Sequence, residues 1–390
     1  MRDMLMPDEQ PMDGQRVISE AHVASQRVQK HRQVTTSGIA PDFESGEVAS
    51  RRGRRLLAGG ILAVVIAIGL GVACFCGLMD RGPSFGDEKT LAKVYQKNRQ
   101  AVGVVVYTFE NKFGAKIPIP SGTAFAVSKT KFITNAHVAY GIKNAIEEDF
   151  FKTIVGNRLA REAQEANVTF ERYCDEIGMQ QIEEKAARIR SALREEGWRI
   201  RDVEVRLSSS HGRSLRVTSV QVHPRYSAVS NEDRNSEFDV AALLVEGEAP
   251  DVFPVADNEY LYNLTPGMRI GSAGFPMEGL GDNGDIDVNN PEATYASGTI
   301  KKLTNFQKVD AGREDNRSIT HTIPGAGGAS GSPMFTADGK VVGVLWGVAM
   351  TLDGLGRRQP SGVLHNWAVR IDQIQQLGAP IPCSQWINSL

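Results

Sequence analysis

Cysteine is scarce in this sequence, with four in 390 residues, at positions 74, 76, 174 and 383. A disulfide-dense secreted scaffold needs many more, so that class is excluded. No two cysteines have the CxxC spacing. None of the seven histidines (22, 31, 137, 211, 223, 321 and 365) has a partner at the i,i+4 spacing of a HExxH zinc helix. The sequence offers no metal-ligand set, and no cofactor is expected. An excess of one charge sign is missing too. The 44 Lys and Arg against 46 Asp and Glu leave a formal charge of −2, which gives neither nucleic acid nor a cationic partner an electrostatic reason to bind.

Long apolar runs are absent except for one. Leu56–Met79 is a stretch of 24 residues without a formal charge, preceded by Arg51, Arg52, Arg54 and Arg55 and followed by Asp80 and Arg81. At about 1.5 Å rise per residue, a helix of that length crosses a hydrocarbon core of about 30 Å. Positive charge stays on the cytoplasmic side, which places residues 1–55 inside and the chain after residue 80 outside. A cleaved signal peptide is the poorer reading, because the polar lead is long and no small-x-small cleavage site follows. The expectation is a single-pass membrane protein. Its N-terminus is cytoplasmic, and the rest of the chain is extracytoplasmic, in the periplasm or at the cell surface. Residues 1–55 have few aromatics and no sustained apolar period, so a disordered cytosolic tail is expected there.

Residues 80–94 read as a linker, with a brief helix over Lys89–Gln96. Beyond it the pattern becomes β. Val104–Thr108, Thr123–Val127, Lys131–Thr134, Val203–Leu207, Ser214–Val222, Val240–Val245, Arg269–Gly274, Tyr295–Lys301 and Val341–Trp346 are short β-branched or aromatic runs between Gly, Pro, Asn and Asp turns. Many short strands of this kind point to a barrel or sandwich. Residues 141–200 change to a helical period. Ile182, Ala186, Ile189 and Leu193 make one apolar stripe, and Ile146, Phe150, Ile154 and Leu159 a rougher one. These stripes predict a helical insertion packed on the β domain.

Three segments carry chemistry. Thr134-Asn135-Ala136-His137-Val138 ends an apolar strand, Phe238-Asp239-Val240 opens a buried one, and Gly327-Gly328-Ala329-Ser330-Gly331-Ser332-Pro333 is a glycine-rich loop around a serine. Each has a structural reading: a core histidine, a turn-capping aspartate, a phosphate cradle. The loop, however, lacks the GxGxxG spacing and the Lys-Ser/Thr of a P-loop. Taken together they suit acyl transfer. A serine hydroxyl needs a base, an imidazole can take and return its proton, a buried carboxylate fixes the tautomer, and backbone N–H groups stabilise the oxyanion.

The segments Ser121-Gly122-Thr123-Ala124-Phe125-Ala126-Val127, TNAHV, FDVAALLV, Gly274-Phe275-Pro276 with Ser297-Gly298, GASGSP and Asn366–Ile371 together resemble a chymotrypsin-fold (trypsin-like) serine peptidase, of the bacterial Deg-type envelope branch, over residues 95–378 except for the insertion. The resemblance implies a mainly β fold of two six-stranded barrels, with the helical insertion and the transmembrane helix added. It implies His137 as base, Asp239 as its orienter, Ser330 as nucleophile, and the amides of Gly328 and Ser330 as the oxyanion hole. Pro324 would sit at the base of the specificity pocket, while Leu345, Trp346 and Gly347 would pair with substrate and wall the pocket. His321 and Thr322 are read as structural. The implied partners are protein or peptide substrates and, through residues 56–79, a membrane. The sequence departs from the family in three ways. His137 and Asp239 stand 102 residues apart, which the insertion explains. Ala329 replaces an acidic or amide residue, and no PDZ-like domain follows residue 377. A catalytically silent protease-fold module that binds peptides is the competing function. The sequence leaves open whether Cys174 and Cys383 pair.

Overall fold

Two substituents on Cβ restrict χ1 and pack well on a pleated surface, so valine-rich runs favour extended backbone. The computed structural model describes residues 86–140, 145–209, 213–226, 237–276, 287–347, 350–352, 358–360 and 366–388, and it closes those runs into two barrels. The first barrel comprises β1 (Val102–Glu110), β2 (Lys116–Ser128), β3 (Lys131–Thr134), β4 (Arg199–Leu207), β5 (Ser214–Val222) and β6 (Ala241–Val245). Its antiparallel order is β5-β4-β1-β2-β3-β6, and β5 pairs with β6 to close the ring. The second contains β7 (Arg269–Gly274), β8 (Thr294–Thr304), β9 (Ser318–His321), β10 (Pro333–Phe335), β11 (Val341–Gly347) and, after a small hairpin of β12 (Met350–Leu352) with β13 (Arg358–Pro360), β14 (Asn366–Arg370). It is closed in the order β10-β11-β14-β9-β8-β7. A last short strand, β15 (Ile381–Pro382), extends the first sheet beside β5. The expected two-barrel architecture is therefore present.

β1 is buried on both faces rather than one. The Phe109 ring stacks on Phe150 at 4.2 Å between centroids, and Tyr107 meets Trp386 at 6.0 Å. Helices thus cover the outer face of this strand, and its sequence shows no polar alternation.

The helix expected at Lys89–Gln96 is α1, Glu88–Asn98, capped by the Asp87 side chain, which accepts from Thr90 N at 2.8 Å. It is a docked element rather than loose linker. Leu91 and Tyr95 are buried, and the Glu88 carboxylate accepts from Tyr295 Oη and Ser297 Oγ, both at 2.7 Å. The insertion follows α2 (Ala136–Tyr140) and consists of α3 (Ala145–Glu165) and α4 (Phe170–Glu196), the latter kinked at Gly178 where φ is +74°. Its packing meets the sequence expectation in part, through the upstream stripe, where Ile154 packs against the main core. Ile182 and Ala186 pack with Val155, Leu159 and Cys174 in a small core of their own, and Phe150 joins the main core. The two helices chiefly bury each other. A short helix α5 (Asn258–Tyr262) precedes β7, and α6 (Cys383–Ile387) brings Trp386 into the core. Cys174 and Cys383 are both free thiols, each pushed up to about 11 by burial.

The expected cytosolic tail, the charge-free segment 56–79, Cys74, Cys76 and residues 80–85 of the 80–94 linker lie outside the described residues. Among the described residues no helix is long and apolar enough to cross a membrane.

Candidate active site

His137 stands in the first turn of α2, directly after β3. Three buried contacts fix that turn. Thr134 Oγ1 donates to Thr123 O at 2.6 Å, and Tyr107 Oη reaches Val138 O at 2.7 Å and Ala139 O at 2.9 Å. Asn135 Nδ2 donates to the carbonyl of Asp239 at 2.7 Å, which ties the turn to the start of β6. The Asp239 carboxylate, with none of its side chain exposed, then accepts twice from His137. Oδ1 takes the backbone N–H at 2.9 Å, and Oδ2 lies 2.6 Å from Nδ1.

An ionised carboxylate only accepts, so Nδ1 must carry the proton and Nε2 keeps its lone pair. His137 retains a third of its side-chain surface, 33%, so that lone pair has a way out of the protein. Burial pulls the imidazole pKa down, but the Asp239 charge and hydrogen bond outweigh it and hold the value above the ordinary one. The arrangement is a base of fixed tautomer with a stabilised cationic form.

Ser330 lies in the connection between β9 and β10, half-buried. This loop is stitched to β2 and β11. Thr123 N donates to Ser330 O at 2.8 Å, Thr123 Oγ1 to Gly328 O at 2.8 Å, and Gly331 N to Leu345 O at 2.8 Å. Gly331 has φ +88°, and a Cβ there would come within 2.0 Å of Thr123 O and 2.4 Å of Thr134 Oγ1. Only glycine fits.

The serine and the histidine turn also share a neighbour. A Cβ on Gly122 would meet Val138 Cγ2 at 2.7 Å and Ser330 O at 3.0 Å. Ala329 N donates to Ala326 O, whereas the N–H groups of Gly328 and Ser330 donate to no protein acceptor among the described residues. Two uncommitted N–H groups beside a serine can receive an oxyanion. No hydrogen bond joins Ser330 Oγ to His137 among the described residues. Such bonds are often loose before substrate binds and tighten in the complex.

The residues expected to set specificity are less uniform. Pro324 is exposed rather than enclosed. Leu345 is buried, and both its backbone groups are bonded: Leu345 N donates to Ser332 O at 2.9 Å, and its carbonyl accepts from Gly331. Its N–H is thus committed within the protein, while its carbonyl oxygen keeps a second lone pair for a further donor. Trp346 is skipped in the β11–β14 ladder, where Leu345 faces Ala368 and Gly347 faces Trp367. Its ring stacks on Trp367 at 5.9 Å. His321 is buried, with its pKa pushed down to about 4 by burial, and its Nδ1 accepts from Ile323 N at 3.1 Å. Thr322 Oγ1 accepts from Thr299 N at 2.8 Å. Both side chains accept from backbone N–H groups of the second barrel.

The motifs contain Thr123 and Asn135 without giving them a role, and neither Tyr107 nor the His223-Pro224-Arg225-Tyr226 segment that leads toward Asp239 is among them. His223 stacks on Phe238 at 4.5 Å, and burial, with the Asp239 charge added to it, raises the pKa of Tyr226. A histidine, proline and tyrosine clustered at the end of a strand shortly before the aspartate were the available signal.

No curated protein matches this sequence. Among solved structures, the chain is similar to the crystal structure of Deg5, at 15% identity over 74% of this chain and 92% of that one, with a TM-score of 0.39. It is also similar to the HtrA-type protease AlgW with decapeptide, at 13% identity over 72% of this chain and 64% of that one, with a TM-score of 0.40. A sequence profile described as the trypsin-like peptidase domain matches residues 122–344, more than half of the chain and the span that holds His137, Asp239 and Ser330. The chain belongs to the trypsin-like peptidase family.

Proposed function

We propose that the chain is a membrane-anchored serine endopeptidase that cleaves protein or peptide substrates outside the cytoplasm. The observation that carries this reading is the pairing of His137 Nδ1 with the wholly buried Asp239 carboxylate at 2.6 Å. It leaves Nε2 as the free basic atom of a partly exposed ring. In this reading Nε2 takes the Ser330 proton as Oγ attacks the scissile carbonyl. The Gly328 and Ser330 amides stabilise the oxyanion, and the imidazolium then returns its proton to the leaving amine. Water hydrolyses the acyl-enzyme by the same path. Leu56–Met79 is the anchor, oriented by the four arginines before it.

The missing hydrogen bond between Ser330 and His137 favours a second reading, a silent peptide-binding module. One experiment separates them: full-length protein in detergent is treated with a fluorophosphonate probe, beside Ser330→Ala. Labelling of the wild type alone supports the peptidase. Equal labelling rejects Ser330 as nucleophile, and no labelling together with retained binding of an unfolded protein favours the module.

A further inference from the structure

Phe238 is buried, yet it has φ +60°. For a bulky L-residue this left-handed conformation costs roughly 1–2 kcal/mol and persists only where the surroundings over-determine it. Those surroundings are present, and they come from both barrels. From the end of β5, the His223 ring stacks on Phe238 at 4.5 Å and 17°, and the Arg225 guanidinium lies 4.1 Å from its centroid. From the segment joining β8 to β9, Phe306 packs edge-on at 4.8 Å and Arg317 lies at 5.8 Å. Gln307 Nε2 also donates to Glu237 Oε1 at 2.6 Å, which fastens the preceding residue to the same segment.

The turn that follows holds the aspartate. Val240 N donates back to Phe238 O at 2.7 Å, closing a three-residue turn with Asp239 at its centre, and His223 N donates to Val240 O at 3.2 Å. The strained residue thus sets the direction in which the Asp239 side chain leaves the backbone. We infer that Phe238 is a positioning residue: its ring, clasped between the barrels, holds the left-handed backbone that aims Asp239 at His137.

A residue that merely fills space predicts a different order of variants. If packing alone matters, Phe238→Gly is worse than Phe238→Ala, because it fills less and frees more chain entropy. If the left-handed backbone matters, glycine adopts it without strain, whereas alanine relaxes away from it once the ring is gone. Phe238→Gly then keeps more of the Asp239–His137 contact than Phe238→Ala.

The readout is the titration of His137 in full-length protein carrying isotope-labelled histidine, its signal assigned by loss in His137→Gln. The expected order of His137 pKa is wild type, then Phe238→Gly, then Phe238→Ala. The alanine variant should fall by roughly one unit, because burial remains while the opposing carboxylate moves away. Among the described residues, the titratable and charged groups against Phe238 and Asp239 are His223, Arg225, Tyr226, Glu237 and Arg317, with His137 itself on the carboxylate, and the Phe238 variants retain them all. An unchanged titration in Phe238→Ala, or glycine at or below alanine, would overturn the inference. If Phe238→Ala does not fold, Phe306→Leu carries the test. It weakens the clasp from the second barrel, and it should lower the His137 pKa in the same direction by less. No change there also overturns the inference.

The inference rests on the proposed triad for its meaning but not for its measurement. A wild type that fails to label with the probe, while the variants keep the predicted order, would reject the peptidase and leave the positioning role standing.

Discussion

Replacing Asp239 by asparagine changes two hydrogen bonds and almost no volume, so its effect can be worked from the site. The native carboxylate accepts from His137 N through Oδ1 and from Nδ1 through Oδ2. A carboxamide has one acceptor and one donor in those places. If its oxygen keeps the backbone N–H of His137, its NH₂ faces Nδ1, which must then accept. The imidazole proton moves to Nε2, and the atom that should deprotonate Ser330 is occupied. Loss of the correct tautomer in such an assembly lowers turnover by about 10⁴, or roughly 5.5 kcal/mol of transition-state stabilisation.

The titration changes sign as well. With Asp239 in place the folded pKa of His137 stands above its ordinary value. The group therefore adds stability that is complete below about pH 6.5 and fades as pH rises through the folded pKa. In Asp239→Asn only burial remains, which lowers the pKa and makes protonation destabilising. The stability gap between wild type and variant should thus be widest on the acid side and narrow as pH rises. Denaturant melts from about pH 5 to about pH 9, run beside the rate of probe labelling, measure both effects. A rate loss below about tenfold, or a gap independent of pH, would refute the assignment of Asp239 as orienter.

Gly331→Ala should displace the serine loop, because its Cβ would sit 2.0 Å from Thr123 O at a φ of +88°; labelling should fall and stability with it, as urea melts will show. Tyr107→Phe leaves the Val138 and Ala139 carbonyls without their buried donor and should cost about 1–3 kcal/mol in the same melts. Protease added to spheroplasts should digest the chain after residue 80 and spare the first 55 residues, since four arginines precede the charge-free segment. Protection of the barrels would reverse that orientation.

Much of the first barrel was legible because β1, β3 and β6 are largely runs of Val, Ile, Phe, Leu and Ala, while β4 and β5 alternate polar and apolar residues at the period of a strand. The strands of the second barrel that were passed over are short or carry buried polar side chains. In β14, Arg370 is 1% exposed, but its guanidinium is held by both carboxylate oxygens of Asp372 and by the carbonyls of Arg313 and Glu314. No hydropathy pattern marks such a residue as internal. The three residues of β10 give no period at all. His137, Asp239 and Ser330 could be picked out because each sits in a motif beside a strand. The insertion divides: Phe150 and Ile154 of one stripe pack on the main core, whereas Ile182 and Ala186 of the other pack on the neighbouring helix, and the helical period is the same in both cases. Phe238 was invisible for a different reason. Its importance lies in a backbone angle and in ring contacts from residues 223, 225, 306 and 317, which the chain brings together only on folding.

The central claim is that Ser330 is the nucleophile activated by His137. The most direct measurement is to treat full-length protein with a fluorophosphonate, digest it, and locate the adduct by peptide mass spectrometry, alongside His137→Ala. The account predicts one phosphonylated residue, Ser330, with labelling abolished or strongly slowed in His137→Ala. An adduct on another serine, or labelling of Ser330 that is indifferent to His137, would contradict it.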